Sequence, residues 1–208
     1  SMLVLSAPVD GLLISPGGDE VIYSLALDGR DSTVFRWDLN SAEEPQEVAG
    51  AQRRSLQGFA ISDDVVVSGI NGGLLVWNRK SPNWWTQKEP QRITNLSGRL
   101  RSLQLVDEDF ALVLSLRNLI PTVYWARLKT DAEEPQVVRF ESPDRALFEL
   151  SQLTAVAYAQ GRLILGTADG RLYSVIASPG QAEINQAMFV EVGPRQHFSA
   201  VNSIKVDS

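Results

Sequence analysis

The chain has 208 residues, 44% hydrophobic and 21% charged, with a net charge of −6. This is an ordinary soluble composition, long enough to bury a substantial core. The acidic balance argues against a phosphate-backbone binder, which needs a basic footprint. No apolar run approaches the roughly 20 residues of a bilayer-spanning helix. With no cysteine and one histidine, His197, disulfides, thiolate zinc sites, a cysteine nucleophile and multi-imidazole metal sites are excluded.

The start, Ser1-Met2-Leu3-Val4-Leu5-Ser6, lacks the basic region and apolar length of a signal peptide. Ser1-Met2 reads as a remnant of tag removal, so further upstream sequence is expected. Together with the missing cysteines, this points to a cytoplasmic protein, or a nuclear one in a eukaryote.

Residues 2–6 read as an outer strand. Residues 11–15 read as a short inner strand, followed by the turn Pro16-Gly17-Gly18-Asp19. Residues 21–26 and 33–38 then form a hairpin with a long tip over 27–32. The next unit has an inner strand at 58–62, a turn at Asp63-Asp64, and runs at 65–69 and 74–78 around Asn71-Gly72. That dipeptide predicts a tight type I′ turn. The third unit has an inner strand at 102–106, then runs at 110–115 and 122–128 around a loop holding Asn118 and Pro121. The fourth has an inner strand at 155–159, then runs at 163–167 and 171–175 around Asp169-Gly170, again read as type I′. Residues 200–207 read as the inner strand of a fifth unit. Apart from a possible helical turn in 144–153, no segment carries helical periodicity with caps.

A fixed interval ties these pieces together. Glu44-Pro45-Gln46 recurs as Glu89-Pro90-Gln91 and Glu134-Pro135-Gln136, 45 residues apart each time. The proline suits the first residue of a fourth, edge strand, where its missing N–H is not needed. Four short antiparallel strands per period predict an all-β propeller of four-stranded blades. The blades run over about 8–50, 51–95, 96–142 and 143–193, with a partial one at 194–208, as a single propeller or propeller segment.

The hairpins carry a resemblance. Trp37-Asp38 and Trp77-Asn78 each close a third strand, and residues 68–78 (SGINGGLLVWN) resemble the middle of a WD-repeat blade. Ser15-Pro16 fits the end of its inner strand. The resemblance implies structural roles for Trp37, Asp38, Trp77, Asn78, Trp125, Gly72 and Gly170, and a protein-interaction scaffold as the function. The pattern also departs: the Gly-His pair is missing from the first four units, and the terminal dipeptide drifts to Trp125-Ala126 and Val175-Ile176. The buried Asp–His–Ser/Thr–Trp network of such blades is therefore not expected, and apolar packing between sheets is expected to carry stability. Four units and a partial fifth leave open a longer propeller, a half-ring completed by a second copy or another chain, and a compact small ring. The first two are favoured.

Asn83-Trp84-Trp85, flanked by Arg79 and Lys80, forms the main candidate partner-binding segment. Adjacent tryptophans beside cations have the composition of an interface hot spot. The alternative is that one tryptophan caps the gap between blades while the other lies along the surface. Leu119 and Ile120, at the apolar tip of the third hairpin, either dock a partner or fold onto their own blade. The 142–153 segment reads as a spacer or as a contact loop on the ring's face.

The acidic clusters lack calcium-loop spacing, and Pro16-Gly17-Gly18-Asp19 lacks the Lys-Ser/Thr of a phosphate loop. No metal or cofactor is expected. The leading expectation is a non-catalytic scaffold for other proteins, binding neither nucleic acid nor membrane. The alternatives are a propeller enzyme or ligand-binding module using its central channel, and a self-assembling half-ring.

Overall fold

Apolar runs of Val, Leu and Ile, punctuated by Gly, Asn and Asp, produce short antiparallel strands whose middle members are buried along most of their length. A computed structural model describes residues 9–14, 21–28, 31–51, 56–118, 120–129, 136–139, 153–182, 189–193, 201 and 204. Four four-stranded sheets are present, each pairing its strands in chain order. The first holds β1 (Val9–Ile14), β2 (Val21–Asp28), β3 (Asp31–Asp38) and β4 (Gln46–Glu47). The second holds β5 (Phe59–Ile61), β6 (Val65–Ile70), β7 (Gly73–Asn78) and β8 (Gln91–Ile93). The third holds β9 (Arg99–Leu105), β10 (Phe110–Arg117), β11 (Ile120–Arg127) and β12 (Val137–Arg139). The fourth holds β13 (Leu153–Ala159), β14 (Arg162–Thr167), β15 (Leu172–Ile176) and β16 (Val190–Glu191). The chain divides into two compact units, Ser1–Thr94 and Asn95–Ser208, each containing two of these sheets.

The strand plan follows the sequence reading, and the prolines do open fourth strands: β4 and β8 begin at the glutamines after Pro45 and Pro90. The turns differ. The first hairpin pairs Asp28 with Asp31 and the third pairs Arg117 with Ile120. The strands therefore run further into both expected long tips, leaving two residues between the paired ends, and Pro121 is a buried strand residue paired with Leu116. At Asn71-Gly72 only the glycine adopts positive φ, at 74°, so this turn is not type I′. Gln160-Gly161 is the dipeptide with both residues left-handed, at 50° and 72°, between the paired Ala159 and Arg162. It therefore forms the type I′ turn. Asp169-Gly170 lies in a four-residue connection between Thr167 and Leu172, where Arg171 N–H donates to Thr167 Oγ1 at 3.1 Å. The tail strand at 200–207 and the helical turn at 144–152 fall outside the described residues, apart from Val201 and Ile204. So do the head strand at 2–6 and His197.

In the first unit, Tyr23 and Val34 of the first sheet pack with Val66, Ile70, Leu75 and Trp77 of the second. In the second unit, Leu112, Leu114, Val123 and Trp125 of the third sheet pack with Val156, Leu163, Leu165 and Val175 of the fourth. Covering a sheet face in this way is the main stabilising term, at about 25 cal/mol per Å² of apolar surface buried.

Apolar packing does not act alone. Gln104 on β9 grips the backbone of Tyr158 on β13 with both ends of its amide: Nε2 donates to the Tyr158 carbonyl and Oε1 accepts its N–H, both at 2.8 Å. Arg101 Nε donates to the Thr154 carbonyl at 3.1 Å. The two inner strands of the second unit are thus joined by side chains that imitate a β-ladder. Buried serines tie β6 and β10 to the segments entering their inner strands. Ser68 Oγ donates to the Gly58 carbonyl at 3.1 Å, and Ser115 Oγ to that of Ser97 at 2.7 Å.

The two fully buried strand tryptophans differ. Trp77 Nε1 donates to the Ala49 carbonyl at 3.2 Å, whereas Trp125 Nε1 is equally buried and has no partner. Trp77→Phe is expected to destabilise by about 1 kcal/mol more than Trp125→Phe, because only the former breaks a hydrogen bond. Urea unfolding midpoints of the two variants check this. Gln104→Ala, which strips both partners from Tyr158, is expected to cost about 1–2 kcal/mol, read by the same measurement.

Candidate partner-binding site

The connection from β7 to β8 runs over residues 79–90 and carries the tryptophan pair. Asn83 enters it in the left-handed conformation, at φ 52°, which Asn tolerates better than most residues. A single 3₁₀ turn, Trp84–Thr86, follows. Thr86 closes it, its N–H and hydroxyl both donating to the Asn83 carbonyl at 2.9 and 2.8 Å. The turn sends consecutive side chains in different directions.

Trp84 points inward. It is 4% exposed and lies 5.9 Å from Tyr23 and 6.5 Å from Trp77, ring centre to ring centre. Tyr23 in turn meets Phe59 at 6.0 Å. Trp84 is therefore a core residue that joins the two sheets of the first unit. This corrects its reading as an exposed contact residue and matches the alternative of one capping and one surface tryptophan. Trp85 stands edge-on to Trp84 at 6.2 Å and 88°, half-buried at the surface. The Arg36 guanidinium lies over its ring, 4.3 Å from the centroid, within the range of a cation–π contact.

The loop is fixed from beneath. Ala49 N–H donates to the Trp85 carbonyl at 2.7 Å. Gly50, at φ 78°, passes so close that a Cβ there would lie 2.6 Å from Pro90 Cδ and 2.9 Å from the Lys88 carbonyl. Only glycine fits that crossing.

Together these groups form a cleft of about 270 Å³ lined by Tyr23, Arg36, Arg79, Lys80, Ser81, Pro82, Asn83, Trp84 and Trp85. The structure thus gathers the expected Arg79, Lys80, Asn83 and Trp85. It adds Arg36 and Tyr23, which sequence spacing could not have connected to them. The cations are held in position: Arg79 Nη1 donates to the Ser62 carbonyl at 2.6 Å, Lys80 Nζ pairs with Asp64 at 2.7 Å and Arg36 lies 3.8 Å from Asp38.

Ile120 lies elsewhere, 58% exposed on the third sheet. It lines a second cleft of about 270 Å³ with Ser97, Arg117, Asn118, Thr122 and Arg139. Leu119 is outside the described residues. Among the residues with expected structural roles, Trp77 and Trp125 are core. Asp38 Oδ1 accepts the Asn40 N–H at 3.0 Å and Asn78 Oδ1 accepts that of Lys80 at 2.9 Å, so each caps a turn. Among the described residues no three His, Asp or Glu side chains stand together as a metal site. No helix there is long and apolar enough to cross a membrane.

Known structures give the fold its class. The chain is similar to the computationally designed Ika8 protein, with TM-score 0.63 and 20% identity, over 96% of this chain and 53% of that one. It is similar to the designed Ika4 protein over 78% of this chain and 88% of that one, with TM-score 0.52 and 19% identity. The WD40 domain of coronin from Toxoplasma gondii matches over 78% of this chain and 42% of that one, with TM-score 0.53 and 15% identity. The fold is that of β-propellers: all-β, with four-stranded antiparallel blades. The chain spans about half the length of Ika8 and less than half that of the coronin chain. No family model matches the sequence, and no curated protein does.

Trp84→Ala is expected to cost about 3–5 kcal/mol, the range for emptying an aromatic core position. Trp85→Ala is expected to cost less than about 2 kcal/mol, since it loses mainly a surface cation–π and edge contact. Thermal melts of the two single variants check the contrast.

Proposed function

We propose that this chain is a non-catalytic protein-interaction module, built from blades of the WD-repeat kind, with the Trp85 cleft as its contact surface. The closures at Trp37-Asp38 and Trp77-Asn78 and the structural likeness to a WD40 domain support the blade type. One observation carries the contact surface: a half-buried tryptophan held under an arginine at the edge of a polar cleft, anchored by a core tryptophan beside it. Tryptophan and arginine on a rigid support are the residues that dominate interface energetics. The lack of cysteine agrees with a cytoplasmic setting.

The test is partner capture with the intact protein and with Trp85→Ala. Changing both tryptophans would confuse contact loss with unfolding, because Trp84 is core. The expected result is loss of a specific partner at unchanged folded content. Identical captured sets from the two proteins would overturn the assignment of this surface.

A second reading, self-assembly through a sheet face, has its own support. On the face of the fourth sheet turned away from its core, Ile176 and Val190 are 65% and 61% exposed. In a propeller such faces are covered by a neighbouring blade. Light scattering across a concentration series, with Ile176→Glu as the control, separates a self-associating chain from a monomer.

A further inference from the structure

We propose that the Trp85 cleft takes an acidic peptide segment of a partner protein, bound by its carboxylates; this rests on the interaction-module reading above. Three cations line the cleft, Arg36, Arg79 and Lys80, and among the described residues no carboxylate lines it. The acids that hold two of these cations, Asp38 and Asp64, are outside the lining. Counting those two acids, the three cations still leave an excess of one positive charge among these groups, on a chain of net charge −6. An acidic ligand is attracted here, while the long-range repulsion of the rest of the surface is screened beyond about 8–10 Å at physiological salt.

The cations also arrive pre-positioned. Arg36 lies over Trp85, Arg79 is tied to the Ser62 carbonyl and Lys80 to Asp64. Less side-chain entropy is then lost when a carboxylate docks. A cleft of about 270 Å³ lies just below the range of small-molecule pockets, about 300–1,000 Å³. Its size suits a few side chains of an extended peptide.

The competing anion is a nucleic acid, which would need an open aromatic face for base stacking. Arg36 covers a face of Trp85, and the edge contact with Trp84 limits access further. The second cationic cleft, around Arg117 and Arg139, has no aromatic lining residue. It lacks the anchored platform that gives the Trp85 cleft its shape.

The experiment uses the intact protein and fluorescence anisotropy. The probes are a short labelled peptide alternating Glu and Gly, the same peptide with Gln for Glu, and a short oligo(dT). The Glu peptide is expected to bind, weakening as salt rises, and the Gln peptide to bind far less. Lys80→Gln and Arg36→Gln are each expected to weaken binding about three- to fivefold, the weight of an exposed ion pair, with the melting temperature lowered by no more than about 2–4 °C. If either variant fails to fold, hydrogen exchange on the unaltered protein decides: peptide-induced protection within 79–87 supports the site, and protection elsewhere overturns it. Equal binding of the Glu and Gln peptides overturns the proposal, as does indifference to both variants. Equal competition by oligo(dT) overturns it in favour of a nucleic acid. A partner lost on Trp85→Ala whose contact segment carries no acidic residue would leave the interaction module standing and remove this inference alone.

Discussion

A sheet of four short strands with an apolar face cannot exist alone in water. Both compact units meet that constraint in the same way, by laying one such sheet against another. The aromatic and aliphatic side chains that fill each interface come from strands far apart in sequence: Tyr23 and Val34 meet Trp77, and Trp125 meets Val156. The rest of the molecule follows from this pairing. The connection from β7 to β8 contributes Trp84 back to the interface of the first unit.

The polar contacts make the pairing specific. A WD-repeat blade would use an internal histidine network, which the composition rules out across most of this chain. Here the amide of Gln104 takes the backbone of the neighbouring inner strand, and the indole of Trp77 takes the carbonyl of Ala49. Trp125 occupies a comparable buried position with its N–H unpaired. Bringing polar groups into an interface between apolar faces costs desolvation, so satisfied pairs favour one alignment of the sheets over others.

Much of this was legible in the sequence. The apolar runs between turn signals gave the strands, and the recurring Glu-Pro-Gln gave the starts of β4 and β8. Finer features depended on geometry that composition does not encode. The 45-residue interval is kept by compensation: the first and third hairpins have eight-residue strands, while the second has six-residue strands and a longer loop before its proline. Asn71-Gly72 carries the strongest local signal for a type I′ turn, yet Gln160-Gly161 forms it, although both dipeptides join directly paired strand ends. Half of the candidate site was visible as a tryptophan pair among cations. Arg36 and Tyr23 belong to another sheet, and only packing brings them to it. Adjacent tryptophans look alike in a sequence, and their opposite fates come from a single 3₁₀ turn.

Gly50 shows how the two halves of that site are linked. The backbone crossing from the first sheet to the second passes directly beneath the tryptophan loop, so close that a side chain at Gly50 would run into Pro90 and the carbonyls of Gln87 and Lys88. The residues between these supports, 79–83 and 86–87, lie above a floor that the fold itself provides. Sequence at 81, 82 and 87 can vary without changing how the sheets meet, provided Arg79, Asn83, Trp84, Thr86 and the glycine crossing are retained. The loop is a natural graft position, where new recognition residues could be displayed on a scaffold that already holds both ends.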